Sequence, residues 1–271
     1  MQTVEANGFR IPIIGLGTWE LRGRDCARLV EQAIHLGYRH IDTAQMYANE
    51  AEVGEGVRKS GKRSEVIVTT KVAHTSMAPQ DVERSVKESL RKLHIDEIDL
   101  LVIHWPNERI PLAETLGAMA RMKQVGYVRQ IGVSNFTVKL LDEAVKATDE
   151  PLVCNQIEYH PFLDQTKVVA ATKAHGMAVV AYSPIARGSA SGNETLERIG
   201  RAHGKSAAQV SLRWLIQQDI VVIPRTSKRE RLEENFAIFD FALSPAEMSE
   251  IAALSAAQKR IVNLSWSPEW D

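Results

Sequence analysis

The chain has 271 residues, a formal net charge of −1, 44% hydrophobic residues and 25% charged residues. This balance is ordinary for a globular protein, and the absence of a long run of one charge sign argues against a nucleic-acid surface or a basic membrane patch. The N-terminus lacks the segments of a signal peptide, and no apolar run is long enough to span a bilayer. We therefore expect a soluble, cytoplasmic protein.

The only two cysteines, Cys26 and Cys154, are far apart in the sequence. They form neither a disulfide framework nor a metal-ligand spacing, which is typical of a protein from a reducing compartment. We expect both to be core residues and expect no bound metal.

The N-terminal segment QTVEANGFRIPII contains two short strand-like pieces around Asn7-Gly8, a strong hairpin-turn signal. From there, short β-branched runs alternate with longer amphipathic stretches. The predicted strands, in chain order, are IIGLGT, RHIDTA, VIVTTK, LLVIHW, RQIGVS, VCNQIE, AVVAYS and VVIPRT.

Helices are predicted between these runs. Residues 78–93 carry apolar side chains at three- and four-residue spacings, and further helices are predicted from Thr137 and from Ser206, a suitable N-cap. Glycines that could end a helix stand shortly before the next strand at Gly37, Gly126 and Gly176.

Alternating strands and helices predict a parallel sheet with right-handed crossovers. Eight such units in about 250 residues indicate a single (β/α)₈ TIM barrel domain over residues 1–271, with the hairpin at one end. The alternative is an open, doubly wound sheet, for which Gly15 and Gly17 resemble the start of a dinucleotide-binding fingerprint. The third glycine of that fingerprint is absent, so the eight-unit count outweighs it.

In such a barrel, the C-terminal ends of the strands face the active site. The second to eighth predicted strands all end in polar residues, and buried polar groups must be paired or face a site. These residues are Asp42 (with Tyr47 five positions later), Lys71, His104, Ser134-Asn135, Asn155-Gln156 with Glu158, Tyr182-Ser183 and Arg225-Thr226.

Four of these residues could make a proton donor, although each alone has an ordinary structural interpretation. The pKa of a free phenol is about 10, and an adjacent Lys71 ammonium would lower the pKa of Tyr47. Asp42 would hold Lys71 in place, and His104 would donate a hydrogen bond to the oxygen that Tyr47 protonates. Because no nucleophilic cysteine, G-x-S-x-G elbow or metal-ligand spacing is visible, hydride from a reduced nicotinamide is the best-fitting reductant.

A basic block, RTSKRER, follows the last predicted strand next to a helix start. Guanidinium groups at a helix N-terminus favour a phosphate site, whereas the alternative is a solvated basic turn.

The sequence resembles the aldo-keto reductases over essentially its whole length. The resemblance rests on GYRHIDTAQMY, VTTKV, LLVIHWP, IGVSNF, NQIEYHP, AYSP and VIPRTSKRERLEENF in this order. The short loop after HWP is more similar to bacterial members, which include diketogluconate and small-aldehyde reductases. The resemblance implies a monomeric barrel that reduces small aldehydes, dicarbonyls or keto sugars with NADPH.

It also implies a catalytic tetrad of Asp42, Tyr47, Lys71 and His104, with Tyr47 as general acid. Further implied contacts to the cofactor are Thr18 after the first strand, Ser134, Asn135 and Gln156 on the nicotinamide carboxamide, Tyr182 stacked on the nicotinamide ring, and Ser183 on the pyrophosphate.

For the adenosine end, the resemblance assigns Arg225, Thr226 and Arg231 to the 2′-phosphate, and Glu234 and Asn235 to the adenine. The family usually has lysine and serine where this chain has Arg225 and Thr226. Both substitutes can still bind phosphate. The change nevertheless leaves open how strongly the chain prefers NADPH over NADH.

Trp19 and Trp105 match walls of the family's substrate pocket. The tail NLSWSPEWD has no helical period, and its rings, Trp266 and Trp270, suggest that it folds back over a pocket. The alternative is that the tail only packs on the barrel exterior.

Two other functions fit parts of this pattern. Lys71 could form a Schiff base as in an aldolase, but pairing with Asp42 would keep it protonated. The chain could also be a nicotinamide-binding redox sensor or structural subunit, although a pure binder has no need of Tyr47 beside Lys71.

Overall fold

The computed structural model describes residues 1–271 and contains a two-stranded antiparallel hairpin and an eight-stranded parallel sheet. The hairpin consists of β1 (Thr3–Ala6) and β2 (Phe9–Pro12). The sheet consists of β3 (Leu16–Gly17), β4 (His40–Asp42), β5 (Ile67–Val72), β6 (Ile98–Ile103), β7 (Val128–Ser134), β8 (Leu152–Glu158), β9 (Ala178–Tyr182) and β10 (Val221–Val222).

Ten α-helices surround or follow the strands. They are α1 (Gly23–Leu36), α2 (Glu50–Lys59), α3 (Pro79–Leu93), α4 (Leu112–Gln124), α5 (Val138–Lys146), α6 (Thr166–Ala174), α7 (Glu194–His203), α8 (Ala207–Ile216), α9 (Arg229–Phe236) and α10 (Pro245–Ala253). None of them is both long and apolar enough to cross a membrane.

The strands follow one another in sequence order from β3 to β10, and parallel bridges then join the first strand to the last. Ile14 pairs with Val222, and Gly17 pairs with Arg225. The Gly15 N–H donates to the Val222 carbonyl at 2.9 Å. The sheet is therefore closed on itself, which confirms the predicted barrel and excludes the doubly wound alternative.

The two strands at this seam are only two residues long, shorter than predicted. Pro224 lacks an N–H and cannot extend the β10 ladder. A side chain at Gly17 would place its Cβ 2.8 Å from the Ile223 carbonyl oxygen, and one at Gly15 would place it 2.7 Å from His40 Nδ1. Gly17 therefore permits the close approach of the two strands at the seam, whereas Gly15 leaves room for the His40 side chain of β4.

The hairpin covers the N-terminal end of the barrel. Asn7 and Gly8 adopt the left-handed conformation, with φ values of 45° and 79°, as the turn signal predicts. Asn7 Nδ2 donates to the Leu152 carbonyl at the start of β8, at 2.7 Å. Phe9 and Ile11 join the apolar cluster inside the barrel, so the predicted position of the hairpin is confirmed.

The predicted helices and buried cysteines are also present. Residues 78–93 form α3 with its N-cap, Thr137 caps α5, and Ser206 caps α8 through a reciprocal capping box. Cys26 and Cys154 are free thiols in the core, and burial raises the pKa of each to about 12.

Gly54 marks a close contact between α2 and α3, because a Cβ there would lie 2.1 Å from the Leu93 carbonyl oxygen. We expect Gly54→Ala to lower the free energy of unfolding by about 1–3 kcal/mol, as overpacking does. Gly117→Ala in α4 is a matched control, because its nearest neighbour would be 3.8 Å away. The control should be neutral or stabilised by about 0.5–1 kcal/mol. Denaturant titrations that give both variants the same midpoint would contradict this packing.

Candidate active site

The C-terminal ends of the strands open into a cavity of about 570 Å³, a volume typical of a small-molecule site. The structure brings most of the predicted residues to its wall. These are Thr18, Trp19, Asp42, Tyr47, His104, Trp105, Ser134, Asn135, Gln156, Tyr182, Ser183 and Arg225.

Tyr47 reaches this wall through a tight turn after β4. Asp42 is the last residue of that strand, and the chain then forms a 3₁₀ turn over Gln45–Tyr47. The turn ends at Ala48, which has a left-handed φ of 52°. The five-residue step therefore brings the phenol back beside the strand end that carries the carboxylate.

A buried ion pair lies behind the wall. Lys71 Nζ donates to Asp42 Oδ1 at 2.5 Å and to the Thr43 carbonyl at 2.8 Å. Gln156 Nε2 donates to Asp42 Oδ2 at 2.7 Å, so both carboxylate oxygens are engaged. Burial alone would lower the pKa of Lys71, but the charge and hydrogen bond of Asp42, with a further contribution from Tyr47, bring the pKa above its usual value. A lysine held protonated is a poor Schiff-base nucleophile, which disfavours the aldolase alternative.

Tyr47 lies against this ammonium, with Lys71 Nζ 4.9 Å from the ring centre. Burial raises the pKa of Tyr47, and Lys71 lowers it by less. Lys71 lowers the pKa of Tyr47 as predicted, but burial contributes more, so the net shift is upward. The phenol is therefore protonated near neutral pH, as a proton donor must be.

His104 faces Tyr47 edge-on, with the ring centres 5.5 Å apart and an interplanar angle of 80°. Burial, then the charge of Lys71, places the pKa of His104 well below 6.5, so the imidazole is neutral. Nδ1 is buried and has no hydrogen-bond partner, which leaves Nε2 as the nitrogen on the cavity side. A neutral imidazole protonated at Nε2 could donate a hydrogen bond into the cavity.

The residues predicted to contact the carboxamide form a network with Tyr182. Asn135 has a left-handed φ of 64°. Its side-chain Nδ2 donates to the His104 carbonyl at 2.9 Å and to Ser134 Oγ at 3.0 Å. Its side-chain oxygen accepts from the Tyr182 hydroxyl at 2.8 Å. The Gln156 side-chain oxygen has no partner within the protein. A fixed aromatic face next to this free acceptor fits a flat ring that carries an amide.

The residues predicted at the adenosine end are divided between the cavity and the surface beside it. Arg225 lines the cavity mouth, whereas Thr226, Arg231, Glu234 and Asn235 lie outside the cavity in the loop after β10 and in α9. Arg231 Nη1 donates to Glu234 Oε2 at 2.6 Å. Arg231, which is predicted to bind the 2′-phosphate, and Glu234, which is predicted to contact the adenine, are thus joined by a hydrogen bond.

Comparison with known proteins decides the family. Residues 13–256 match the Aldo/keto reductase family. The chain belongs to this family. It is 40% identical to the methylglyoxal reductase DkgB of Escherichia coli O157:H7 over 265 residues, covering 96% of this chain and 99% of that protein. The predicted family is confirmed, and the chain is an oxidoreductase.

Solved structures of aldo/keto reductases have the same fold as this chain. A putative 2,5-diketo-D-gluconic acid reductase B superposes with a TM-score of 0.96 at 47% identity, covering 99% of this chain and 98% of that one. A Bombyx mori aldo-keto reductase in complex with NADP has a TM-score of 0.91 at 34% identity, covering 97% of this chain and 95% of that one.

The reductase also has a cavity residue that the sequence did not reveal. Arg187 stacks on Trp19, with its guanidinium carbon 4.4 Å from the ring centre. It lies in the loop after β9, in which Ser183, Ala186 and Arg187 all have φ near 50°. A lone arginine in a loop gives no sequence signal for this contact, because its partner is distant in the chain.

Besides Lys71 and Thr226, two further polar strand-end residues do not face the cavity. The Asn155 side chain donates to the Phe136 carbonyl at 3.0 Å, away from the cavity. Glu158 accepts the backbone N–H groups of Ile261 and Val262 in the C-terminal tail. The prediction that all of these polar strand ends face the site is therefore wrong for Asn155 and Glu158, as it is for Lys71 and Thr226, which do not line the cavity either.

The C-terminal tail of the reductase folds back over the mouth of the barrel, as predicted. Trp266 stacks on His74, with ring centres 4.7 Å apart and planes 8° from parallel. Trp270 packs edge-on against Trp105 at 6.2 Å, and the Arg260 guanidinium lies 3.8 Å from the centre of the Trp270 ring. Val262 and Leu264 complete the tail's contribution by lining the cavity.

Proposed function

We propose that the reductase converts aldehydes and ketones to alcohols with NADPH, and that Tyr47 is the general acid. The substrates we propose are small aldehydes, dicarbonyls or keto sugars, in keeping with the names of the similar reductases. One observation carries the proposal: a buried Lys71–Asp42 pair lies behind Tyr47, with the His104 ring facing that phenol edge-on.

When bound, NADPH supplies the hydride for the carbonyl carbon. The Tyr47 hydroxyl would donate its proton to the carbonyl oxygen as negative charge develops there. The Lys71 ammonium would stabilise the phenolate that remains, and Asp42 would keep that ammonium in place. His104 Nε2 would donate a hydrogen bond that orients the same oxygen.

The cavity residues that would hold the nicotinamide are Tyr182, Ser134, Asn135 and Gln156, with Thr18 and Ser183 as further cofactor contacts. Of these, the free Gln156 oxygen can accept from a carboxamide NH₂, and the Tyr182 ring offers a stacking face. Arg225, Thr226 and Arg231 would bind the 2′-phosphate, and Glu234 and Asn235 the adenine. Support comes from the NADP complex of the Bombyx mori relative.

Arg231 provides a test of the cofactor assignment. Its guanidinium donates one hydrogen bond to Glu234 and has further donors free for a phosphate. We expect Arg231→Ala to raise the Kd for NADPH about tenfold, the loss expected for a charge-assisted hydrogen bond, and to leave the Kd for NADH nearly unchanged. Cofactor fluorescence titration measures both constants.

Arg229→Ala is the matched control, because Arg229 belongs to the same basic block and pairs with Glu233 at 3.2 Å. It removes the same charge without removing a proposed phosphate contact. Equal losses of NADPH affinity in the two variants would indicate a general charge effect and contradict the specific role of Arg231.

The proposed activity is tested by the loss of NADPH absorbance with methylglyoxal, a keto sugar acid and an aromatic aldehyde. Oxidation that depends on Tyr47 supports the proposal. Tight NADPH binding without oxidation by any carbonyl would contradict it.

We also propose that the chain works as a single-domain monomer. The N-terminal hairpin and the C-terminal tail both pack on the same barrel, which supports one domain. Light scattering on the purified protein measures the mass directly.

A further inference from the structure

We infer that Glu158 is a positioning residue that fixes the C-terminal tail as one wall of the substrate pocket. Through this wall, Glu158 would set the affinity for carbonyl substrates large enough to touch the tail. The inference rests on the proposed function, because it concerns the substrates of the same site.

Glu158 is buried, only 1% exposed, at the end of β8. Its Oε1 accepts the Ile261 N–H at 2.6 Å, and its Oε2 accepts the Val262 N–H at 2.7 Å. These donors are 103 and 104 positions further along the chain. Hydrogen bonds to an ionised acceptor are stronger than neutral ones, so one carboxylate clamps two consecutive backbone amides.

His160 orients this carboxylate. The His160 Nδ1 accepts the Phe162 N–H at 3.3 Å, which places the ring proton on Nε2. Nε2 lies 3.0 Å from Glu158 Oε1 and therefore donates to it. The carboxylate thus accepts three hydrogen bonds and needs both of its oxygens as acceptors.

The tail has few other backbone anchors near this point. It contains no helix or strand after the 3₁₀ turn Leu254–Ala257. Lys259 N–H donates to the Phe162 carbonyl at 2.8 Å, but no barrel side chain other than Glu158 accepts a backbone N–H of the tail. Glu158 is therefore the side chain that fixes where the tail backbone crosses the barrel mouth.

The clamped segment is also the segment that reaches the cavity. Val262 is itself one of the clamped residues, and Leu264 follows two positions later; both line the cavity. Glu158 does not line the cavity and forms no hydrogen bond with Tyr47 or His104. Loss of the clamp should therefore weaken binding of substrates that touch this wall while leaving the chemical step intact.

The test is Glu158→Gln, which keeps the shape of the side chain but replaces one accepting oxygen with a donating NH₂. We expect the Ile261 and Val262 amides to exchange hydrogen about tenfold faster, as expected when a charge-assisted hydrogen bond is lost. We expect the KM for a bulky aromatic aldehyde to rise about three- to tenfold, with kcat within about twofold and with methylglyoxal kinetics nearly unchanged.

Glu50→Gln is the matched control. Glu50 is another buried glutamate, which accepts from Thr70 Oγ1 at 2.7 Å and forms no hydrogen bond with a tail residue. It should leave both the tail exchange and the ratio of the two KM values unchanged. If Glu158→Gln does not fold, Leu264→Ala removes part of the same wall from a residue that is 37% exposed, and it should raise the same KM selectively.

Unchanged exchange in Glu158→Gln would overturn the inference, and so would an equal rise in KM for methylglyoxal and the bulky aldehyde. A wild-type protein that reduces no carbonyl overturns the proposed function, whereas the exchange rates decide separately whether Glu158 holds the tail.

Discussion

Tyr47→Phe should lower the rate of carbonyl reduction by about 10²- to 10⁴-fold, the usual contribution of a general acid, and leave NADPH affinity nearly intact. The substitution removes one hydroxyl and keeps the ring that packs against His104 and lies near Lys71. The loss should therefore appear in the chemical step. Cofactor binding should change little, because the residues assigned to it lie elsewhere on the cavity wall.

The direction of the pKa shift explains why the loss should be large at neutral pH. Reduction requires the protonated phenol, and burial raises the pKa of Tyr47 above 10. The group therefore carries its proton at neutral pH. Lys71 partly opposes the burial effect, and its ammonium favours the phenolate that forms as the proton leaves.

Single-turnover oxidation of bound NADPH separates this step from cofactor binding. Tyr127→Phe is a matched control, because Tyr127 is 37% exposed before β7 and does not line the cavity. It should reduce carbonyls at the wild-type rate. Full activity in Tyr47→Phe would rule out the proposed mechanism.

Much of this architecture could be predicted because the relevant signals are local. The apolar spacing over residues 78–93 and the capping residues Thr137 and Ser206 depend only on nearby positions, and all three helices are present. The strand ends that carry Asp42 and His104 could also be placed, because parallel strands of a barrel share one C-terminal face.

The features that could not be predicted depend on long-range contacts. The short β3 and β10 reflect the closure of the barrel at Gly17. The hydrogen bond that Glu158 accepts from Ile261 joins residues 103 positions apart. The net pKa shift of Tyr47 depends on burial, and the amount of burial is set by the packed cavity rather than by neighbouring residues in the sequence.

Lys71→Met should damage both stability and activity. It leaves the Asp42 carboxylate buried and without its cation, and breaking such a pair usually costs about 3–5 kcal/mol of unfolding free energy. It also removes the ammonium beside Tyr47, so reduction should slow by about 10²-fold or more. Denaturant titration measures the first effect, and single-turnover kinetics measure the second.

A double variant, Asp42→Asn with Lys71→Met, separates these two effects. It removes the uncompensated charge, and the asparagine oxygen can still accept from Gln156 Nε2, which donates to Asp42 Oδ2 at 2.7 Å in the wild type. Most of the lost stability should therefore return, because replacing both members of a buried pair is often close to neutral. The reduction rate should stay low, since no ammonium then faces the phenol. If the rate recovered with the stability, Lys71 would be a structural residue rather than part of the proton donor.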